Sequence, residues 1–352
     1  IAAYLKSATS PSIDRVIEHL TDKDLIRLED TIESLNSARL FVFAILGWQT
    51  MLYMPSLGTC PPGQLAVADE QNGFRGGAFM QLRQDLFCSR HDLPEFLMGF
   101  GILLPAKNLC LAVDTEERLA FDRLDKITPR DFNASLISTI GHLQIKWVDI
   151  LSCHMEFDPI TKKLYLFRFP SYCQASLDCK EGDREDSHGH KSVIHSCATT
   201  RGDLREWAAT REVDLFMAEI LLSYRLLFGQ TNTSRRFFRQ TAPFKGLPKN
   251  VHDLLLAHLC GTKEGYVSEY ADTVEQDVYD LAEHFPILRS RIVALHSHMG
   301  RATTKTWSEL WRDKRDSAQW LTFWALLVFG GLGLLFSFLQ VLLQAVQLGL
   351  GR

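Results

Sequence analysis

The sequence lacks the short motifs that mark several large classes of enzyme. It contains neither the GxSxG string of a nucleophile elbow nor the HExxH string of a zinc protease. The glycine-rich string GFRGG (73–77) has no following Lys-Ser or Lys-Thr pair and no dinucleotide-binding spacing. The familiar hydrolase and phosphate-loop signatures are thereby excluded, so any catalytic site must be assembled from scattered residues.

The sequence also lacks an excess of basic residues and any close pairing of cysteines. The 38 Lys and Arg against 42 Asp and Glu give a net charge of −4, which provides no electrostatic basis for binding nucleic acid. The cysteines are scattered without a CxxC pair, unlike those of a disulfide-stapled module or a zinc ribbon. Cys110 and Cys260 lie in apolar runs, which predicts buried, reduced thiols and a cytosolic compartment.

Charged side chains are missing from residues 317–351. The apolar centre of this stretch, 321–339, would rise about 28 Å as a helix, close to the hydrocarbon thickness of roughly 30 Å. A helix is the one single-segment structure that satisfies its own backbone hydrogen bonds in lipid. We therefore predict a transmembrane helix, with a buried core helix of a soluble protein as the alternative.

Several residues in this stretch have the positions expected in a membrane helix. Tryptophans lie at its N-terminal edge, where indole rings prefer the membrane interface. Small residues fall near one side, which would let a second helix, such as another copy of the chain, approach closely; ordinary glycine usage in membrane helices is the alternative. The predicted membrane residues are Trp320, Trp324, Gly330, Gly331, Gly333 and Ser337.

Basic residues flank the predicted membrane helix mainly on one side. The cations that precede it are Arg301, Lys305, Arg312, Lys314 and Arg315, and Arg352 follows it. By the positive-inside rule we expect residues 1–316 in the cytosol, and hence a single-pass, tail-anchored protein. Thr306 and Glu309 match a capping box, so the region 306–352 is predicted to be one juxtamembrane and transmembrane helix.

The region before the anchor is predicted to be mostly α-helical with one β-hairpin, an α+β fold. TDKDLIRLEDTIESL predicts an amphipathic helix opened by Thr21. The apolar run 38–54 fits a buried helix or a buried strand, of which we favour the helix. Apolar residues alternate in IKWVDILSCHMEF and LYLFRF follows a short turn, so 145–169 is predicted to be an antiparallel hairpin. Short helices followed by a hairpin favour a winged-helix-like N-terminal half and an all-helical C-terminal half.

Changes in composition divide the chain into four predicted regions. We expect an α+β domain over residues 1–173, a polar loop over 174–203 and a helical region over 204–305. The juxtamembrane and transmembrane helix over 306–352 is the fourth region. The main boundary of the part outside the membrane is therefore predicted near residue 200.

The polar loop and its borders contain the best candidate metal ligands in the sequence. Thiols and imidazoles at this density can bind zinc, although their spacing matches no common structural zinc site. A solvated loop that has collected histidines is the alternative. The candidates are Cys173, Cys179, His188, His190, His195 and Cys197. No cofactor is predicted.

The string RRFFRQ (235–240) mixes arginine with phenylalanine. Contact with anionic lipid or with a protein partner is one interpretation of this pattern. The other interpretation is a surface helix with one basic face.

Four strings in the chain carry a resemblance to a known family. They are IKWVDILSCHMEFD, LYLFRFPSYC, LLSYRLLFGQ and QWLTFWALLVFGGLGLLFSFLQVLLQ. Together they resemble a family of uncharacterised membrane-anchored proteins abundant in filamentous fungi, in patches over residues 38–347. The resemblance implies a shared scaffold with a C-terminal membrane anchor, and none of the strings corresponds to a catalytic motif.

Three functions are compatible with the sequence. The first is a tail-anchored protein whose cytosolic domain binds a protein partner or senses a signal at a membrane. The second is a membrane-anchored enzyme whose site has no linear motif. The third is an oligomeric effector whose glycine-containing helices assemble and perturb the bilayer. The anchor, the large region before it and the missing motifs favour the first.

Overall fold

The structure, a computed structural model, consists of two compact units, an N-terminal unit Ile1–Arg301 and a C-terminal unit Ala302–Arg352. The described residues are 1–58, 61–68, 82–102, 104–112, 114–178, 192–198, 205, 208–261, 276–301 and 317–350. The predicted juxtamembrane part of the last helix, 306–316, lies outside them. From Ser317 onward the predicted helix is present in the C-terminal unit.

The N-terminal unit is built mainly from short α-helices, as the sequence predicts. Its described α-helices are α1 (Ala2–Ser7), α2 (Ile13–Asp22), α3 (Ile32–Thr50), α4 (Leu93–Met98), α5 (Thr115–Arg123), α6 (Ala134–Thr139), α7 (Pro170–Asp178), α8 (Val213–Tyr224), α9 (Asn232–Thr241), α10 (Leu254–Leu259), α11 (Leu281–His284) and α12 (Arg289–Arg301). Short 3-10 helices occupy Leu86–Arg90, Leu151–Cys153, Val193–Cys197, Thr210–Glu212 and Lys249–Val251, and a π-helical turn at Arg225–Gly229 prolongs α8.

Side-chain caps define where the first long helices begin. The hydroxyl groups of Ser12 and Thr31 each accept a hydrogen bond from the backbone N–H three residues later, at 3.2 Å, and so open α2 and α3. The predicted helix start at Thr21 is wrong, because Thr21 lies in the last turn of α2 and its hydroxyl group donates to the carbonyl oxygen of Ile17. The apolar run 38–54 is confirmed as helical over most of its length, within α3.

Seven short strands complete the described part of the N-terminal unit. They are β1 (Gln64–Ala66), β2 (Arg83–Asp85), β3 (Lys126–Ile127), β4 (Gln144–Val148), β5 (Phe157–Asp158), β6 (Lys163–Phe167) and β7 (Tyr279–Asp280). The pairs β1–β2 and β3–β7 are antiparallel, and the remaining strands form a three-stranded sheet in the order β4-β6-β5.

The predicted antiparallel hairpin over 145–169 is wrong in its topology. Strand β4 is parallel to β6, with Gln144 opposite Lys163, and only the two-residue β5 pairs with β6 in antiparallel fashion. The chain leaves the strand direction after Val148, passes through a 3-10 helix and adopts a left-handed backbone at Met155 with φ of 60°. The mixed α and β class is confirmed in outline, and the winged-helix-like arrangement stays a prediction.

One hydrophobic core joins the two halves that the sequence suggested. Its fully buried side chains come from both sides of residue 200, among them Phe43, Phe100, Leu166, Phe216 and Ile292. Burying a side chain of this size contributes about 1.5–3 kcal/mol relative to leaving it exposed. The predicted boundary near residue 200 therefore does not separate two cores within the described residues.

The predicted polar loop 174–203 is ordered where the structure describes it. Residues 174–178 form the last part of α7, and Val193–Cys197 is a 3-10 helix whose apolar side chains are buried. The loop prediction is therefore wrong at both borders. Residues 179–191 and 199–203 lie outside the described residues.

Candidate functional site

The most distinctive feature of the C-terminal unit is a long apolar helix, α13 (Ser317–Leu350), of 34 residues. Its window Trp324–Val341 has a mean hydropathy of 1.9 over 18 residues, and none of the window is buried. Phe329 and Leu334 are about three-quarters exposed, at 74% and 75%. Exposed apolar area of this extent is unfavourable in water. The helix is long and apolar enough to cross a membrane.

The small residues of α13 leave one part of its surface open. A Cβ atom added at Gly330, Gly331 or Gly333 would meet no described atom within 4 Å. The hydroxyl group of Ser337 donates to the carbonyl oxygen of Gly333 at 2.9 Å, which satisfies it inside the helix. The two predicted interface tryptophans both lie in α13: Trp320 in its first turn and Trp324 at the start of the apolar window.

Two of the predicted metal ligands, Cys173 and Cys197, are buried in the N-terminal unit. Cys173 in α7 is fully buried, and burial raises the pKa of its thiol well above the usual range. Burial likewise raises the pKa of Cys197 to about 12. A metal binds the thiolate, so binding here would require both buried thiols to lose their protons. Cys179, His188 and His190 lie outside the described residues.

No group of three potential metal-binding side chains occurs within the part of the chain that the structure describes. The remaining candidate, His195, binds other protein groups. Its Nε2 atom lies 2.9 Å from Oδ1 of Asp214, and its Nδ1 atom lies 3.0 Å from Oγ and 3.2 Å from the carbonyl oxygen of Ser192. An imidazolium that donates from both nitrogens fits these three acceptors.

Ser192, His195 and Asp214 have the connectivity of a catalytic triad, but their geometry favours a structural role. A carbonyl oxygen beside Nδ1 indicates that Nδ1 carries a proton, so it cannot also accept the proton of the Ser192 hydroxyl group. Only 3% of the His195 side chain is exposed. The contact instead attaches the 3-10 helix Val193–Cys197 to the start of α8, together with a hydrogen bond of 2.8 Å from Ser196 to the carbonyl oxygen of Leu5.

A second polar cluster, which the sequence does not reveal, lies in the core. His154 is fully buried, and its Nε2 atom lies 2.7 Å from the hydroxyl oxygen of Ser223 in α8. The backbone N–H of Phe167 donates to its Nδ1 atom, so the proton is on Nε2 and His154 donates to Ser223. Burial, together with the charge of Arg291, lowers the pKa of His154 to about 3. His154 is therefore a neutral structural donor.

Arg291 of α12 supplies the cation of this cluster. It donates to Oε1 of Glu156 at 2.9 Å and to the carbonyl oxygens of Ser152 and His154 at 2.8 and 2.6 Å. Burial raises the pKa of Glu156 to about 8, although the Arg291 charge acts in the opposite direction. No described residue forms a hydrogen bond with Oε2 of Glu156.

Glu219 of α8 is a second buried carboxyl group. It accepts hydrogen bonds from the backbone N–H groups of Ile287 and Leu288, at 2.9 and 2.7 Å, just before α12 begins. Burial raises the pKa of Glu219 and outweighs the opposite effect of these two hydrogen bonds, so that the pKa is about 8. Both carboxyl groups thus connect α12 to the rest of the core. Glu156 does so by binding the side chain of Arg291, and Glu219 by accepting hydrogen bonds from the backbone just before α12. A chemical role would require a path to solvent, and both residues are at least 95% buried.

An open groove of about 620 Å³ is lined by residues of α2, α3 and the nearby Arg90. Asp14 in this groove receives a two-point hydrogen bond from Arg39, at 2.9 and 2.7 Å, and another from Ser89 at 2.7 Å. Partial burial raises the pKa of Asp14, but these hydrogen bonds outweigh it and lower the pKa overall. Arg39 and Arg90 already compensate the charge of Asp14, so this carboxylate is not available to bind a cationic ligand.

Sequence reasoning missed the His154, Glu156, Glu219 and Arg291 network because its members are far apart in the chain. A histidine and a glutamate inside an apolar strand-like run were the one available signal. No protein-family model, no curated protein and no solved structure matches this chain. The resemblance to a fungal membrane-anchored family therefore stays a prediction.

Proposed function

We propose that this chain is a membrane-anchored protein in which α13 crosses the bilayer and the N-terminal unit binds a protein partner or senses a signal on the cytosolic side. The observation that carries the proposal is the apolar window Trp324–Val341, which no described residue covers. Hydrocarbon would bury this surface, and each side chain of leucine or phenylalanine size would gain about 1.5–3 kcal/mol.

The orientation follows from the distribution of charge along the sequence. Five Lys and Arg residues lie in 301–315, and none lies in 317–351. Basic residues close to a membrane helix are retained on the cytosolic side. The N-terminal unit is accordingly expected in the cytosol, where reduced cysteines such as Cys153, Cys173 and Cys260 are stable.

The buried polar groups support an interaction role over an enzymatic one. Burial strongly perturbs the pKa values of His154, Glu156 and Glu219. Catalytic groups usually combine such shifts with a cleft. Here each group is bound to backbone or to a neighbouring side chain inside the core, which is the pattern of structural polar networks.

The test uses the full chain expressed with sealed microsomes. We expect the chain to stay with the membranes after alkaline carbonate extraction and the N-terminal unit to be digested by added protease. Asn232 is the useful reporter of orientation, because it is exposed and begins an Asn-Thr-Ser sequon. Asn133 is a poor reporter, since its side chain is buried and accepts hydrogen bonds from Leu136 and Ser234.

Three outcomes of this experiment count against the proposal. Release of the chain by carbonate would contradict the anchor. Protection of the N-terminal unit from protease would contradict the orientation, as would a glycan on Asn232. A variant with Asn232→Gln serves as the control for any shift in mass that is attributed to glycosylation.

A further inference from the structure

Residues 231–252 form a positively charged segment in a chain whose net charge is negative. This segment contains five Lys and Arg residues and no Asp or Glu, whereas the whole chain has a net charge of −4. It comprises α9 and the loop that leads towards α10. The sequence alone leaves two interpretations of its arginines, a lipid contact and an ordinary basic helix face.

Helix α9 separates its apolar and basic side chains. Thr231 caps the helix by accepting a hydrogen bond from the backbone N–H of Ser234 at 3.2 Å. Phe238 is buried on the inner face, where its ring contacts Phe228 at a centroid distance of 5.4 Å. Arg236 and Arg239 are exposed on the outer face. Arg235 is different, because its guanidinium group is half-buried and donates to the carbonyl oxygen of Gly229.

The charges on the outer face have no acidic partner among the described residues. Arg236, Arg239 and Lys245 form no ion pair with any residue that the structure describes. Other arginines of the N-terminal unit are paired, for example Arg39 with Asp14 at 2.7 Å and Arg291 with Glu156 at 2.9 Å. The positive potential of this surface is therefore available to a partner.

The loop after α9 adds exposed apolar side chains to the same segment. Leu247, Val251 and Leu254 have exposed fractions of 49%, 53% and 52%. Local hydrogen bonds hold this loop. The backbone N–H of Val251 donates to the carbonyl oxygen of Pro248 at 3.1 Å, and Nε2 of His252 lies 2.9 Å from the carbonyl oxygen of Leu247. Its apolar residues are thus held outward by local hydrogen bonds. We call this region the 236–254 surface, defined by Arg236, Arg239, Lys245, Leu247, Val251 and Leu254.

We infer that the 236–254 surface contacts the headgroup region of an anionic lipid bilayer. Cations without a described acidic partner and exposed leucine and valine side chains, present together in one segment, are the combination that binds such an interface, because the cations attract acidic headgroups and the apolar groups enter the acyl boundary. The inference rests on the proposed function, since a membrane-anchored chain keeps its N-terminal unit close to a bilayer. An acidic protein partner would use the cations but gives no role to the apolar side chains.

The test compares the full chain in nanodiscs of phosphatidylcholine alone and of phosphatidylcholine with phosphatidylserine in a two-to-one ratio. Amide hydrogen exchange is followed over 242–254. We expect exchange there to slow several-fold in the anionic discs, because each basic residue near such a surface favours contact about five-fold. High salt should remove the difference, since it screens the attraction.

The basic residues of the surface are then removed in the variant R236Q/R239Q/K245Q. The matched control, K6Q/K23Q/K126Q, removes the same charge from exposed positions elsewhere on the N-terminal unit. We expect the first variant to exchange equally in both kinds of disc and the control to behave like the natural sequence. Thermal unfolding of both variants establishes that the fold is intact.

Equal exchange of 242–254 in the two kinds of disc would overturn the inference. Protection that appears instead at the exposed aromatic residues of α3, Phe41 and Trp48, would also overturn it. Exchange within α13 reports the anchor in the same experiment. An unprotected α13 contradicts the proposed function, whereas a protected α13 with an unresponsive 242–254 contradicts only the inference.

Discussion

His154 and Glu156 lie two residues apart, and burial moves their pKa values in opposite directions. The pKa of His154 falls from 6.5 to about 3, so unfolding takes up a proton and the free energy of unfolding decreases as pH falls through that range. The pKa of Glu156 rises from 4.5 to about 8, so unfolding releases a proton and the free energy of unfolding decreases as pH rises through that range. The pKa of Glu219 is raised in the same way as that of Glu156, so its effect on the free energy of unfolding has the same sign.

Replacing Glu156 by glutamine should therefore flatten the decline of stability on the alkaline side. Between about pH 5 and pH 8 we expect the natural chain to lose stability relative to Glu156→Gln by a few kcal/mol, at up to about 1.4 kcal/mol per pH unit. Urea unfolding of the N-terminal unit in the full chain measures this difference. The exposed Glu18→Gln serves as the control, and a difference independent of pH in Glu156→Gln would contradict the prediction.

Ser223 tests the other half of the buried cluster. Ser223→Ala leaves the Nε2–H group of His154 without its acceptor in the core, which should lower the free energy of unfolding by about 1–3 kcal/mol. Ser37→Ala is the matched control, because Ser37 also bonds a carbonyl oxygen of its own helix but is exposed. We expect the control to change stability by less than about 0.5 kcal/mol. Equal effects of the two substitutions would show that the buried hydrogen bond between His154 and Ser223 contributes no more to the free energy of unfolding than an exposed one.

At the scale of secondary structure, the sequence predicted which segments are regular better than it predicted how they pair. The apolar run in α3 was long enough to identify a buried helix. Alternation around Trp147 identified a strand, but the period-two pattern carries no information about strand direction. The positive φ at Met155, which turns the chain between β4 and β6, has no signature in a methionine residue.

The contacts of His195 show a similar limit. His195 and Cys197 are close in sequence, but in the structure they contact different groups, Asp214 for His195 and the carbonyl oxygen of Val193 for Cys197. The partner of His195 lies 19 residues away, and nothing in the local pattern indicates it. Long-range polar contacts of this kind depend on the packing of the whole unit.

The His195–Asp214 contact gives a prediction for the 3-10 helix Val193–Cys197. Asp214→Asn removes the carboxylate partner of a buried imidazole, which should ease local opening by about 1–3 kcal/mol. Cys197, which is 3% exposed, should then react with a thiol reagent about five- to 150-fold faster. Peptide mapping of the labelled thiols measures this rate. The exposed Asp122→Asn is the control, and unchanged labelling of Cys197 would refute the role of the contact.

At the scale of the whole molecule, the proposed membrane location depends on the apolar window of α13. Arginine at both Leu332 and Leu335, near the middle of the window, should oppose insertion by about 2.5–3.5 kcal/mol per residue. We expect most of this double variant to be released by alkaline carbonate, whereas alanine at the same two positions should leave the chain membrane-bound. Full retention of the arginine variant would contradict a bilayer-spanning α13.

The open side of α13 allows a test of self-association. If a second copy packs against Gly333, replacing Gly333 by leucine should lower energy transfer between labelled copies in vesicles, because the added side chain keeps the helix backbones apart. Val328→Leu adds bulk to another side of the helix and serves as the control. Transfer that is equal in all three chains would indicate that the glycine side faces lipid.

The dependence of Glu156 on Arg291 also constrains the order of events during synthesis. Strands β4 to β6 emerge from the ribosome long before α12, yet the carboxyl group of Glu156 has its cation only when Arg291 has been made. Ile292 and other apolar side chains of α12 also belong to the core, so we expect the earlier part of the unit to expose apolar surface of the kind that chaperones bind until α12 has been made. In the chain α12 ends at Arg301 and α13 begins at Ser317, so under the proposed function the core of the N-terminal unit is completed shortly before the membrane helix is made.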